Sequence, residues 1–213
     1  MLTGLGVGAF ASAVLAIVAD WNETKPKVFY LLKPLTTVLI AGIAALAPDS
    51  EYRTWLLIGL ALSLAGDICL MFAGNLAFMG GLSSFLLAHF VFMWAFVHGI
   101  EIANVPWWAG AFVIYGLAFS FVLLPRAGSL KLPVLVYGTV LMGMAITASI
   151  RWVNVGGTGG LLAFIGACLF VISDSSLGAR KFLGPYRGAQ GLILSTYWTS
   201  IGLIAASALD VAV

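Results

Sequence analysis

Eight apolar runs, each about as long as a bilayer is thick, divide the chain at roughly 2–19, 28–47, 55–72, 79–98, 106–124, 133–150, 160–177 and 190–209. A membrane-spanning helix needs roughly 17–25 mostly apolar residues. In hydrocarbon every backbone N–H and C=O must find its partner within the protein, so runs of this kind become helices. The expected fold is therefore an all-α integral membrane bundle of eight transmembrane helices, a single transmembrane domain over 1–213. The connections are too short for a soluble domain. Composition agrees, with 62% hydrophobic and only 8% charged residues, where soluble domains carry about 25% charged residues. Six of the seven prolines fall between runs or at their starts, and only Pro34 sits inside one. Leu2 opens the first run with no Lys or Arg before it, so this segment reads as a retained helix rather than a cleaved signal peptide.

Basic residues in the connections set the expected orientation. The loops after helices 1, 3, 5 and 7 hold Lys25, Lys27, Arg126, Lys131, Arg180, Lys181 and Arg187, against Arg53 and Arg151 after helices 2, 4 and 6. The positive-inside rule then puts the first set in the cytoplasm and both termini outside, in a bacterial cell membrane. Trp55, Trp107, Trp108 and Trp152 fall at the opposite interface, where an aromatic belt belongs. The net charge of +2 is scattered over these loops and does not point to nucleic acid. Oligomeric state is not legible.

Helix 3 (LSLAGDICL) and helix 7 (LFVISDSSL) share an Asp flanked by a small residue and Leu. Lys33-Pro34 is loosely echoed by Lys131-Leu132-Pro133. Helices four apart run in the same direction, so these echoes suggest a weak parallel 4+4 repeat; chance matching of short segments is the other reading.

Lys33, Asp67 and Asp174 are the only formally charged residues inside the expected spans. A charge at a helix centre costs on the order of 3 kcal/mol, and such side chains usually face a polar interior. At ~1.5 Å per residue, Lys33, Asp67, Asp174, Tyr137 and Tyr197 fall roughly 6–10 Å from the cytoplasmic end of their helices. Five helices thus place a polar group in one layer. Gly59, Ser63, Gly66, Asp67 and Gly74 make a small polar stripe associated with helix 3, Lys33, Thr36 and Thr37 a second on helix 2, and Thr196, Thr199 and Ser200 a third on helix 8. The plainer alternative is a structural Lys33–Asp pair with small residues allowing close helix packing. It leaves one aspartate without a partner.

The two histidines, His89 and His98, are about 2.5 turns apart and point to opposite faces, so they do not share a metal. His89 is a candidate hydrogen-bonding group of the site, with helix packing as its alternative; His98 reads as interfacial. Cys69 and Cys168 lie in apolar runs as packing residues. Gly156-Gly157 and Gly159-Gly160 read as a flexible outer turn. No nucleophile elbow, phosphate loop or dinucleotide motif occurs in a usable context. No metal or cofactor is expected.

Taken in chain order, Lys33-Pro34, Gly66-Asp67, Ala88-His89, Tyr137 with Met144, Gly166-Ala167, Phe170, Ser173-Asp174, Phe182 and Thr196-Tyr197 resemble the pattern of the lysoplasmalogenase family, also called the YhhN family. The resemblance covers essentially the whole length. It departs in helix 8, where Trp198-Thr199-Ser200 stands in place of the family's second aromatic and Gln after Thr-Tyr.

The resemblance implies hydrolysis of the vinyl ether of a lysoplasmalogen, a lysophospholipid, to a fatty aldehyde and a glycerophospho-alcohol. Such cleavage protonates the outer alkene carbon and leaves an oxocarbenium ion for water to attack. Two carboxyls in a secluded site can divide the roles of acid and anion. Asp67 and Asp174 are then the catalytic candidates, in either assignment. Lys33, His89, Tyr137, Tyr197, Ser173 and Thr196 are the candidate substrate contacts. Lys33 would bind the phosphate or hold one aspartate ionised, and Arg180, Lys181 and Arg187 would attract the headgroup. A small transporter or channel, or a membrane scaffold, are the competing classes. Charges gathered near one end rather than at the midplane argue against a transporter.

Overall fold

The computed structural model describes residues 1–21, 24 and 26–210. Lys25, one of the basic residues that set the expected orientation, lies outside them. The described residues form α1 (Leu2–Ala19), α2 (Lys27–Ala45), α3 (Glu51–Met71), α4 (Asn75–Val97), α5 (Gly110–Leu123), α6 (Lys131–Val155), α7 (Gly157–Phe182) and α8 (Ala189–Ala206). Short 3-10 turns precede and follow α5 and extend α8. With their flanking turns, all eight are long and apolar enough to cross a membrane, as the sequence predicts. This is a multi-pass membrane protein.

The helices that touch define a closed ring, α2–α3–α4–α6–α7–α8 and back to α2. From outside, α1 leans on α2 and α8, and α5 on α6 and α7. Exchanging each helix with the one four places later maps this ring onto itself. The outer pair breaks the exchange, because α1 leans on α8 whereas α5 leans on α7 and not on α4, so the correspondence is confined to the ring.

Lipid is as apolar as leucine, so close packing rather than water exclusion must hold such helices together. Glycines provide it. A Cβ on Gly59 would lie 2.3 Å from the Phe92 ring, and one on Gly66 2.6 Å from the Phe85 ring, so the small stripe of α3 admits two aromatic rings of α4. Gly166 of α7 lies so close to α8 that an added Cβ would meet Ile204 at 2.7 Å and the Ser200 carbonyl at 2.9 Å. Ser200 Oγ donates back to the Gly166 carbonyl at 2.7 Å. Phe29, Phe92, Phe96, Phe170 and Met144 fill the interior that results.

Three expectations need correction. No loop spans 151–159. Gly156 (φ 69°, ψ −152°) and Gly157 (φ 64°) turn the chain, and Gly159 and Gly160 follow in the first turn of α7. Their smallness serves packing: a Cβ on Gly159 would meet the Asp210 carbonyl oxygen at 2.5 Å, and one on Gly160 the Trp152 Cα at 3.1 Å. Arg151 accordingly is not an interfacial loop residue. It is buried in α6 with its guanidinium 3.6 Å from the Tyr52 ring centroid, a cation–π contact. It is a further charge inside the bundle. Gly74 lies beyond α3, at the N-cap of α4, where φ of 108° favours glycine.

Candidate active site

Asp67 is 1% exposed and is held from two helices, α2 and α8. From α2, Lys33 Nζ stands 3.4 Å from Oδ1 and donates to the Asp67 carbonyl at 3.3 Å. One turn along the same face, Thr37 Oγ1 donates to Oδ2 at 2.7 Å. From α8, Tyr197 Oη donates to the same oxygen at 2.8 Å. Oδ2 thus accepts two hydroxyl hydrogen bonds while the ammonium of Lys33 stands beside Oδ1.

Asp174, on α7, is served differently. Tyr137 Oη of α6 donates to its Oδ2. His89 Nε2 of α4 lies 3.9 Å from that oxygen, beyond hydrogen-bond reach. Among the described residues no Lys or Arg forms an ion pair with Asp174. The His89 ring is fully buried, its centroid 5.2 Å from Tyr137 and 4.6 Å from Phe170, and neither ring nitrogen has a protein hydrogen-bond partner. Asp67 is thus bonded from α2 and α8, and Asp174 from α6 alone, with the His89 ring of α4 standing near it.

Two cavities meet at this point. A polar one of about 360 Å³ is lined by Asp67, Asp174, Lys33, Ser173 and Tyr197, with Arg180 and Lys181 also in its wall. Arg180 Nη1 donates to Gln190 Oε1 at 2.5 Å, and Gln190 Nε2 to Asp20 Oδ2 at 2.7 Å, a relay that joins α1, α7 and α8. Lys181 Nζ sits 4.6 Å from the Phe78 ring centroid. The second cavity, about 70 Å³, is almost wholly apolar and lies among α4, α5, α6 and α7, against Leu82, Phe119, Leu141 and Met142. Leu70, Phe78, Phe85, Asp174 and Leu177 line both. Of these only Asp174 is titratable, whereas Asp67 faces the polar cavity alone.

Of the residues singled out in the sequence, Lys33, Asp67, Ser173, Asp174 and Tyr197 line the polar cavity, and Tyr137 lines the apolar one. Ser173 Oγ is occupied by the Ile193 carbonyl at 3.0 Å. His89 stands behind Asp174 without lining either cavity. Thr196 lies elsewhere; its hydroxyl turns back to the Leu192 and Ile193 carbonyls at 2.6 and 3.2 Å. Arg187 is exposed and lines neither cavity. Lys33 does pair with one aspartate, as the structural alternative holds, but Asp174 has its own partner in Tyr137. The Asp20–Gln190–Arg180 relay escaped the sequence reading. Its one signal was Gln190, the only glutamine in the chain, at the start of an apolar run.

The YhhN family profile matches residues 28–208. Human lysoplasmalogenase TMEM86B is 33% identical over 184 residues, covering 84% of this chain and 74% of that protein. The rat TMEM86B lysoplasmalogenase is 34% identical over 181 residues, 80% of this chain and 68% of its own length. A lysoplasmalogenase of Mycobacterium tuberculosis is 32% identical over 174 residues, 78% of this chain and 64% of its own length. No solved structure matches significantly.

Proposed function

The chain belongs to the YhhN family, and we propose that it is a lysoplasmalogenase in which Asp174 is the acid and Asp67 the anion of vinyl ether hydrolysis. The observation that carries this reading is the place of Asp174 in the wall common to a polar and an apolar cavity. A lysoplasmalogen has the same division. Its vinyl ether joins a phosphodiester headgroup to a hydrocarbon chain, and the outer alkene carbon is the one on the chain side. With the headgroup toward Lys33, Arg180 and Lys181 and the chain's first carbons in the apolar cavity, that carbon comes to Asp174.

The donors support the assignment. Lys33, Thr37 and Tyr197 together match an ionised Asp67. Asp174 accepts from one hydroxyl and forms no Lys or Arg ion pair among the described residues, which leaves an oxygen to carry a proton. Asp174 gives its proton to the outer alkene carbon, and the double-bond electrons form that C–H bond. The positive charge moves to the ether-bearing carbon as an oxocarbenium ion, stabilised by Asp67 across the polar cavity. Water adds to this carbon and passes a proton to Asp67, giving a hemiacetal. The hemiacetal hydroxyl returns a proton to Asp174 while Asp67 protonates the departing glycerol oxygen. The C–O bond breaks, one water is consumed, and both aspartates regain their starting states. Tyr137 orients Asp174, and Tyr197 and Thr37 orient Asp67. The C-terminal ends of α1, α3, α5 and α7 face the cytoplasm in this reading, with both termini outside, in a bacterial cell membrane.

Aldehyde release by detergent-purified protein tests the proposal. A 1-alkenyl lysophospholipid should yield fatty aldehyde, carrying one deuterium at C2 when the reaction runs in D2O. The 1-alkyl analogue, which has no alkene to protonate, should be inert. Absence of aldehyde from the alkenyl lipid, with folded protein, would refute the assignment.

A further inference from the structure

The apolar cavity beside Asp174 is too small for the chain it would hold. About 70 Å³ takes on the order of five water-sized groups, far fewer than a long hydrocarbon chain contains. The remainder must lie elsewhere. A third cavity, about 250 Å³, runs between the first halves of α4 and α6, against Met79, Leu82, Ser83 and Leu86 on one side and Leu132 and Val136 on the other. The four α4 residues recur at spacings of three, four and seven, a single helix face. Ser83, Leu132 and Val136 are exposed, so this groove opens on the outer surface of the bundle, where lipid lies. Leu82 lines both the groove and the cavity beside Asp174, and so forms the partition between them.

We propose that the α4–α6 groove is the lateral portal for the substrate's hydrocarbon chain, with Leu82 as its gate. The inference rests on the lysoplasmalogenase reading and names how that site meets its lipid. The groove lies near the starts of α4 and α6, the end of the bundle to which Arg180 and Lys181 belong. A lipid entering there keeps its phosphate at the interface beside those cations and its chain in the same leaflet. Only the carbons next to the vinyl ether pass Leu82 to reach Asp174. The occupant is thus one alkenyl chain, because the groove is continuous through one side chain with the acid that protonates it.

Ser83→Trp fills the groove from its exposed side and leaves the bundle interior untouched. Purified wild type and Ser83→Trp should be compared on a long-chain alkenyl lysophospholipid in micelles and on a short-chain, water-soluble one that can enter through the polar cavity. The variant should lose roughly tenfold in kcat/KM on the long-chain substrate, carried mainly by KM, and little on the short one. Leu82→Ala should admit a chain branched near the ether that wild type rejects. Leu87→Trp, on the exposed side of α4 outside the groove (Leu87 is 54% exposed), should change neither. If Ser83→Trp folds poorly, Ser83→Cys labelled after purification with a bulky thiol reagent puts the same obstacle into folded protein, with identically treated parent as control. An active wild type with both substrates slowed equally by the groove variants, or neither slowed, overturns the portal alone. A wild type inert on both substrates overturns the functional reading, and the portal with it.

Discussion

Lys33 meets Asp67 where both side chains are nearly sealed from solvent, at 7% and 2% exposure. A buried charge left without its partner costs about 3–5 kcal/mol, whereas removing both partners is often close to neutral. Lys33→Met should therefore destabilise the protein by about that amount, and Lys33→Met with Asp67→Asn should recover most of the loss. Unfolding in mixed micelles measures both; equal stability of Lys33→Met and wild type would mean the pair carries no such coupling. Turnover should behave differently. Lys33→Met is expected to lower kcat more than it raises KM, because Lys33 pairs with Asp67, the anion of the proposed mechanism. A pure KM effect would return Lys33 to phosphate binding. Tyr137→Phe should likewise lower kcat by weakening the hold on Asp174 while leaving KM nearly unchanged, and undiminished kcat would remove Tyr137 from the mechanism. Both aspartates were legible in the sequence, since a carboxylate in an apolar run has few structural reasons to be there. Their partners were less so. Thr36 and Thr37 are adjacent and chemically alike, yet Thr37 bonds Asp67 while Thr36 bonds Ser12 and the Leu32 carbonyl. One residue is 100° of helix rotation, and rotation about the axis is fixed by neighbours that sequence does not display.

Helices emerged from hydropathy because hydrocarbon leaves the backbone no alternative. Their ends did not, because capping and packing set them. Ser50 Oγ accepts from the Arg53 N–H at 3.1 Å and starts α3 before its apolar run begins. Asp210 Oδ2 accepts from the Gly159 N–H at 2.8 Å, so a residue after α8 ties down the start of α7. At ~1.5 Å per residue, the 26 residues of α7 run about 39 Å, past a hydrocarbon core of ~30 Å, and deliver Arg180 and Lys181 to the polar zone. Gly166 offers the clearest test of packing at this scale. Its Cβ would strike backbone as well as side chain, and overpacking of this kind costs about 1–3 kcal/mol. Gly166→Ala should lower the thermal midpoint in detergent, whereas Gly202→Ala, with nothing within 4 Å, should not. Equal midpoints would show that α7 and α8 separate without penalty.

The six-helix ring brings Asp67 and Asp174 to one polar cavity from opposite halves of the sequence. The LSLAGDICL and LFVISDSSL segments each contribute one of these carboxyls, from α3 and α7, to the common space. The apolar cavity was not legible, because its wall is made of apolar residues indistinguishable from core in one dimension, whereas the polar cavity follows the layer of Lys33, Asp67, Asp174 and Tyr197. Orientation is open to direct test. Arg187→Cys, in an exposed loop, should label only from the cytoplasmic side, and Asp49→Cys only from outside; the reverse would invert the bundle and the leaflet from which it draws substrate. That Asp67 and Asp174 act as one catalytic unit is tested most directly by turnover of Asp67→Asn, Asp174→Asn and the double variant, each normalised to folded protein. Asn keeps the shape and removes the proton chemistry. Each single variant should lose about 10²–10⁴-fold, and the double should be little worse than the poorer single, because groups acting as a unit are not additive. Full activity in either folded single variant, or losses that multiply in the double, would contradict it.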